Sequence, residues 1–346
     1  MRIEQCTITL TRKCNLRCNF CYAKNTEYLE ESTIKFENLK RIIDFCNEAC
    51  VRYIVFTGGE PTLYSGLFDI LKYIKRQENK MIPTIATNGI LLENKEFCES
   101  LINNGIEYID ISLKGKNGKE CCKTAGFDCF LQQEKAIRNL STLPIEFTCS
   151  VVLTNENIES LCDIVKNARA NGAKQFSFTF MIDNIKSEFC EESYLKWHNP
   201  FPLIDSFMSQ IKILNSITEE WWIEYSFPMC IYPPDQLKIL EGKMAHPCQV
   251  HTETGITFDT DMNLIPCNMY FENRIGRLDT DFSSYAEFLD FIQNSIYRTT
   301  IDQLKQLPST VCKSCKFLKL CYGGCPVTWK NYSFDVLNDY KDKYYW

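Results

Sequence analysis

The sequence predicts an α/β fold, a partial (β/α)6 TIM-like barrel followed by a small C-terminal cysteine-rich domain. Three observations predict it. Six β-rich runs alternate with helical patterns between Cys6 and about Met181, the signature of βα units with a parallel sheet. From Phe227 onward prolines such as Pro228, Pro233, Pro266 and Pro326 punctuate short elements, so this region is organised by metal as much as by a hydrophobic core. Finally, of the 20 cysteines among the 346 residues, three form a tight group near the start and seven a second group from Cys230 to Cys325, the others being isolated.

The predicted strands are Cys6 to Leu10, Tyr53 to Phe56, Ile82 to Ala86, Tyr108 to Leu113, Ile145 to Leu153 and Gln175 to Phe180, each with a helical segment before the next. Six units without a further pair leave the barrel open on one side, with chemistry at the C-terminal ends of the strands. Residues Glu188 to about Ile217 read as a helical bridge broken by Asn199-Pro200-Phe201-Pro202. The expected domains are therefore the barrel over 1–185, the bridge over 186–226 and the cysteine-rich domain over 227–346.

Composition excludes several function classes. Apolar residues make up 45% and aromatics 13%, enough for a real core. A net charge of -6, with 38 basic residues scattered among 44 acidic ones, argues against nucleic acid as a partner. A polar start and no uncharged apolar run of about 18 residues predict a cytoplasmic protein without a membrane partner. Clustered cysteines in a reducing compartment bind metal in preference to forming disulfides. The isolated ones (Cys6, Cys46, Cys50, Cys98, Cys121, Cys122, Cys129, Cys149, Cys162, Cys190) read mostly as small buried hydrophobes.

Directly after the first strand, Cys14, Cys18 and Cys21 form a C-x3-C-x2-C loop able to place three thiolates around one cluster. Three ligands leave one iron of a four-iron cubane open, able to chelate the amino and carboxylate groups of a methionine moiety and so to hold the sulfonium of S-adenosylmethionine (SAM) for reductive cleavage. Taken alone, the spacing equally suits a zinc knuckle or a structural cluster. The second strand adds context by running into Thr57-Gly58-Gly59-Glu60-Pro61, where the glycines permit close backbone approach and Glu60 offers a carboxylate to the SAM ammonium.

Through C-x3-C-x2-C followed one βα unit later by Gly-Gly-Glu-Pro, the first half resembles the radical SAM superfamily. The resemblance implies that Cys14, Cys18 and Cys21 ligate a [4Fe-4S] cluster that binds SAM, that Gly58, Gly59 and Glu60 meet the methionine amino group, and that Tyr22 meets the adenine through its backbone. Thr87-Asn88-Gly89 is similar to a further family motif, which makes Asn88 a cofactor-site candidate. Ser112 matches a ribose-contacting position, with a strand-end serine capping its own turn as the alternative. Asn155 and the Phe178 region are weaker candidates for ribose and adenine.

Near the C-terminus, Cys312, Cys315, Cys321 and Cys325 form a C-x2-C-x5-C-x3-C array that implies metal, while Cys248 and Cys267 flank a hairpin with Asp261-Met262-Asn263 at its turn. Together these resemble a SPASM or twitch domain with one or two auxiliary [4Fe-4S] clusters; zinc is the alternative. Met262 stands where that pattern has glycine, and no cysteine follows Cys325. By resemblance, Cys248, Cys267 and Cys325 serve an inner cluster and Cys312, Cys315 and Cys321 an outer one. Cys230 is expected to complete the inner set unless that iron stays open, leaving only Asp335, Asp339 or Asp342 for the outer set. His251 is a further, minor ligand candidate.

The resulting expectation is a radical SAM enzyme that abstracts hydrogen from a peptide or protein residue, a maturation by crosslinking, epimerisation or oxidation, with a reductant such as flavodoxin or ferredoxin as partner. A small-molecule radical SAM dehydrogenase is the rival enzyme. From a different class comes a non-catalytic iron-sulfur electron carrier, against which the Gly58 to Glu60 turn and the barrel both argue.

Overall fold

The computed structural model describes residues 2–23, 32–182, 195–196, 198–224, 227–244, 248–271 and 273–345. Six parallel strands, β1 (Gln5–Thr11), β2 (Tyr53–Gly58), β3 (Ile82–Thr87), β4 (Tyr108–Leu113), β5 (Glu146–Leu153) and β6 (Gln175–Phe180), pair in sequence order. They coincide with the six predicted runs to within two residues at each end. Alternation fixes their faces: along β4, Ile109, Ile111 and Leu113 are buried among the core side chains, so Tyr108, Asp110 and Ser112 take the opposite, barrel-lining phase.

Helices α1 (Phe36–Glu48), α2 (Leu67–Ile74), α3 (Lys95–Asn104), α4 (Gly118–Ala125), α5 (Phe130–Ser141) and α6 (Leu161–Ala170) connect the strands. Their apolar residues recur at helical spacing, as Leu39, Ile42, Ile43 and Cys46 do in α1. Caps set their ends: Asn94 Oδ1 accepts from the Phe97 N–H at 3.1 Å to open α3, which stops at Gly105 with φ 120°. In the bridge, α7 (Phe201–Ile217) carries Pro202 in its first turn, where proline is tolerated. Residues 183–194, including Cys190, lie outside the described residues.

Beyond the six units the sheet continues at both edges, which the sequence reading did not anticipate. On one side β7 (Trp221–Ile223) adds in parallel to β6; on the other, β8 (Gly255–Phe258) adds in parallel to β1 and leads to β9 (Asn263–Ile265) and β10 (Gly276–Arg277). The β8–β9 hairpin is the predicted one, with Met262 at φ 63° in the left-handed region where glycine is preferred. The expected boundary at 227 is thus crossed by backbone hydrogen bonds. A shared core crosses it too: Phe45 of α1 meets Phe258, Phe282 and Phe288 with ring centroids 6.2, 5.6 and 5.6 Å apart. Among the described residues no helix is long and apolar enough to cross a membrane.

Candidate functional site

The C-terminal ends of β1 to β4 converge, and Glu60 is their hub. It is 1% exposed. Its Oε1 accepts from the Thr62 N–H (3.1 Å), the Thr62 hydroxyl (2.5 Å) and the Thr87 hydroxyl (2.6 Å), and Oε2 accepts from the Asn88 N–H (2.7 Å). Three of these donors meet Oε1 and one meets Oε2, and together they make this side chain a lock between the β2 turn and the end of β3. Asn88 extends the lock, donating through Nδ2 to Asn15 Oδ1 in the cysteine loop at 2.7 Å.

Gly58 and Gly59 owe their identity to the same convergence. A Cβ on Gly58, whose φ is 145°, would lie 2.2 Å from the Thr11 carbonyl oxygen, and one on Gly59 would lie 2.4 Å from the carbonyl oxygens of Arg12 and Lys13. The glycines press the end of β2 against the entry to the cysteine loop, where the Gly59 and Glu60 N–H groups donate to Thr11 O (2.7 Å) and Lys13 O (2.8 Å). Tyr22 closes the loop from its far end, its hydroxyl donating to Gly58 O at 3.3 Å.

From below, the loop rests on the end of α4: the Arg17 and Asn19 N–H groups each donate at 2.9 Å, to Ala125 O and Thr124 O. Leu16 packs there with Cys121, Ala125 and Cys129. The Cys14 and Cys18 thiols, half-buried, and the exposed Cys21 thiol lie within electrostatic reach of one another. Burial raises the first two; nearby Glu60 raises Cys14 further, whereas Lys114 opposes the rise at Cys18. Cys14 Sγ accepts from the Leu16 N–H at 3.4 Å. Three soft donors on one loop, one already held by a backbone N–H, fit an iron-sulfur cluster.

Ser112 does face this site, and its Oγ accepts from Lys114 Nζ at 2.6 Å; that ammonium also sits 5.1 Å from the Phe20 ring centre. Gln133 of α5, buried, donates to Asn88 O (2.7 Å) and Ser112 O (2.9 Å) and accepts from the Lys114 N–H (3.2 Å). Sequence reasoning missed Lys114, Gln133 and the barrel-lining Asp110. For Asp110 a signal existed, a charge in phase with Ser112 inside an otherwise apolar run. Its Oδ1 is sealed from solvent without a partner. Burial pushes it up to about 7, with a Ser150 hydrogen bond opposing and Glu224, itself raised by burial, adding to the rise. Asn155 lies exposed after β5, where buried Asn157 holds the turn instead by donating to Val152 O at 2.8 Å. Phe178 faces the helical layer, against Phe207 and Trp221, and not the barrel.

Seven further cysteines separate into two neighbourhoods. Cys267, raised chiefly by burial, feels Cys248 and Cys325, and Cys325 feels Cys248. Cys230, pushed up to about 12 by burial, feels Cys321 and Cys312; Cys321 feels Cys312, and Cys312 feels Cys315. Cys230 thus lies near Cys321 and Cys312 of the outer set. The adjacent Met229 N–H donates to Cys321 Sγ at 3.3 Å, and Cys248 Sγ accepts from the Val250 N–H at 3.4 Å. Asp335, Asp339 and Asp342 are all exposed, so the carboxylates expected to serve the outer set point to solvent; their helix, α10 (Phe334–Tyr345) after α8 (Tyr285–Asn294) and α9 (Ile296–Leu304), sends Lys341 to the Cys230 carbonyl instead. His251 Nε2 lies 3.3 Å from Gly324 O, a tether between the two neighbourhoods.

Comparison with known proteins adds five findings. Residues 8–168 match the family model described as the radical SAM superfamily. A GTP 3′,8-cyclase of Clostridium perfringens (strain SM101) is 30% identical over 175 residues, 49% of this chain and 53% of that protein, so the match spans about half the length of this curated relative. A cysteine-type anaerobic sulfatase-maturating enzyme of Clostridium perfringens (strain ATCC 13124) is 24% identical over 90% of this chain and 85% of its own. Among solved structures, anSMEcpe with bound AdoMet and the Cp18Cys peptide superposes with a TM-score of 0.68 at 20% identity, covering 98% of this chain and 94% of that one. Streptococcus suis SuiB bound to its precursor peptide SuiA gives 0.70 at 18%, covering 97% and 76%. The family match begins inside β1 and ends near the close of α6, so the stretch whose strand ends carry the cysteine loop is matched as a radical SAM superfamily domain, in a chain that shares its fold over nearly its whole length with the sulfatase-maturating enzyme.

Proposed function

We propose that this enzyme modifies a residue of a peptide or protein by radical SAM chemistry, with Cys14, Cys18 and Cys21 holding the SAM-binding [4Fe-4S] cluster. The observation that carries the reading is the convergence of the three-cysteine loop, the Glu60 lock and the Lys114–Ser112 pair at one end of the barrel. The family implies a [4Fe-4S] cluster and AdoMet, which together supply the electron and the 5′-deoxyadenosyl radical. The chain's own residues do the rest. Gly58, Gly59 and Asn88 hold the cysteine loop and offer backbone polar groups beside it, Ser112 and Lys114 supply polar contacts at the strand ends, and the barrel walls exclude water from a reactive radical.

Peptide substrates are favoured over small molecules by coverage. Likeness to the cyclase is confined to about half of this chain, whereas likeness to the sulfatase-maturating enzyme runs through the cysteine-rich half as well. On this reading 1–185 form the barrel, 186–226 the bridge and 227–346 the auxiliary-cluster domain. With SAM, a low-potential reductant and candidate peptides under anaerobic conditions, the reconstituted protein should release 5′-deoxyadenosine and change the mass of its peptide. Replacing Cys14, Cys18 and Cys21 together by Ala should abolish cleavage yet leave iron at the auxiliary cysteines. Undiminished cleavage by the triple variant would sink the reading.

A further inference from the structure

We infer that Cys230 is the fourth thiolate of the outer auxiliary cluster, completing Cys312, Cys315 and Cys321 from a segment that precedes every other auxiliary cysteine in the chain. The inference rests on the auxiliary-cluster reading above and deepens it. Among the 346 residues, no cysteine after Cys325 offers itself to the outer three. The fold supplies one from upstream.

Three contacts dock the Cys230 segment onto the outer set. The Met229 N–H donates to Cys321 Sγ at 3.3 Å. A Cβ added to Gly324, whose φ is 83°, would lie 2.8 Å from Pro228 N, so the two backbones touch. Lys341 reaches from α10 to the Cys230 carbonyl. These contacts fix a short turn over Met229–Ile231 in which Cys230 stays half-buried, and its thiol feels Cys321 and Cys312. The exposed Asp335, Asp339 and Asp342 leave no comparable oxygen donor, and sulfur is the softer ligand for cluster iron. The division is four thiolates outside and three inside.

The full chain lacking Cys14, Cys18 and Cys21 isolates the auxiliary sites. After anaerobic reconstitution it should hold about eight irons, at about four per cubane. Adding Cys230→Ala should make about four of them removable by a mild chelator and alter one cluster's electron paramagnetic resonance signal. The same change should add nothing to Cys321→Ala but should add fully to Cys267→Ala, the pattern of a shared site. Isotope-coded alkylation of the otherwise wild-type protein provides a readout free of substitution: Cys230 should become reactive in step with Cys321, as iron is withdrawn, and out of step with Cys267. An unchanged iron count and spectrum with Cys230→Ala, or alkylation of Cys230 in step with Cys267, overturns the assignment. A background protein that binds no iron overturns the auxiliary-cluster reading itself, and this inference with it.

Discussion

Glu60 shows how much of a site can rest on one buried side chain. Its carboxylate accepts from two hydroxyls and two backbone N–H groups, and an amide in its place must turn an NH2 toward at least one of those donors. Glu60→Gln should therefore cost roughly 1 to 3 kcal/mol of stability, seen as a lower denaturation midpoint; coincident unfolding curves would refute the locking role. Asp110 makes the complementary case. Burial holds its pKa near about 7, above the ordinary carboxylate value of 3.8. Between pH 4 and 7, roughly, the native state keeps a proton that the unfolded chain has released, so stability falls as pH rises through that window, by a few kcal/mol. Asp110→Asn should flatten this slope, which denaturant titrations at about pH 5 and 7.5 can read. A variant as pH-dependent as the parent would show that another group titrates.

Strands and helices were legible where the pattern is local. Alternation and β-branched runs marked β1 to β6, and asparagine and glycine punctuated α3 and α4. What escaped was non-local or short: β7 has three residues, and the pairing of β8 with β1 joins positions some 250 residues apart in sequence. Cysteine spacing likewise revealed the Cys14 loop and the Cys312 array, but only the fold brings Cys230 to Cys321. Gln133 sits in the first turn of α5 with nothing in its neighbours to mark it, and its three hydrogen bonds exist only because α5 crosses the ends of β3 and β4. At the end of α1, Cys50 adopts φ 53° with an exposed side chain, a conformation in which glycine is favoured by about 1 kcal/mol. Cys50→Gly should stabilise the protein by that order, and a lower melting temperature would contradict it.

Across the whole molecule the barrel and the cysteine-rich region act as one body, because β8 bonds to β1 and Phe45 packs on Phe258, Phe282 and Phe288. Arg41 of α1 pairs with Asp279 at 2.6 Å across the same junction. Loss of the auxiliary half should therefore destabilise the barrel as well, and a fragment ending before β8 should melt lower than the intact chain. The docking of Pro228–Cys230 onto Cys321–Gly324 carries a topological consequence. With iron joining Cys230 to Cys321, the polypeptide becomes a closed ring of about 90 residues threaded through β8, β9 and β10, and the unfolded chain loses the freedom such a ring removes, worth roughly 4 to 5 kcal/mol by the loop-entropy relation for covalent cross-links. The outer metal would then serve as a clasp on the chain's own path, one that opens with oxidation or chelation while every peptide bond remains intact.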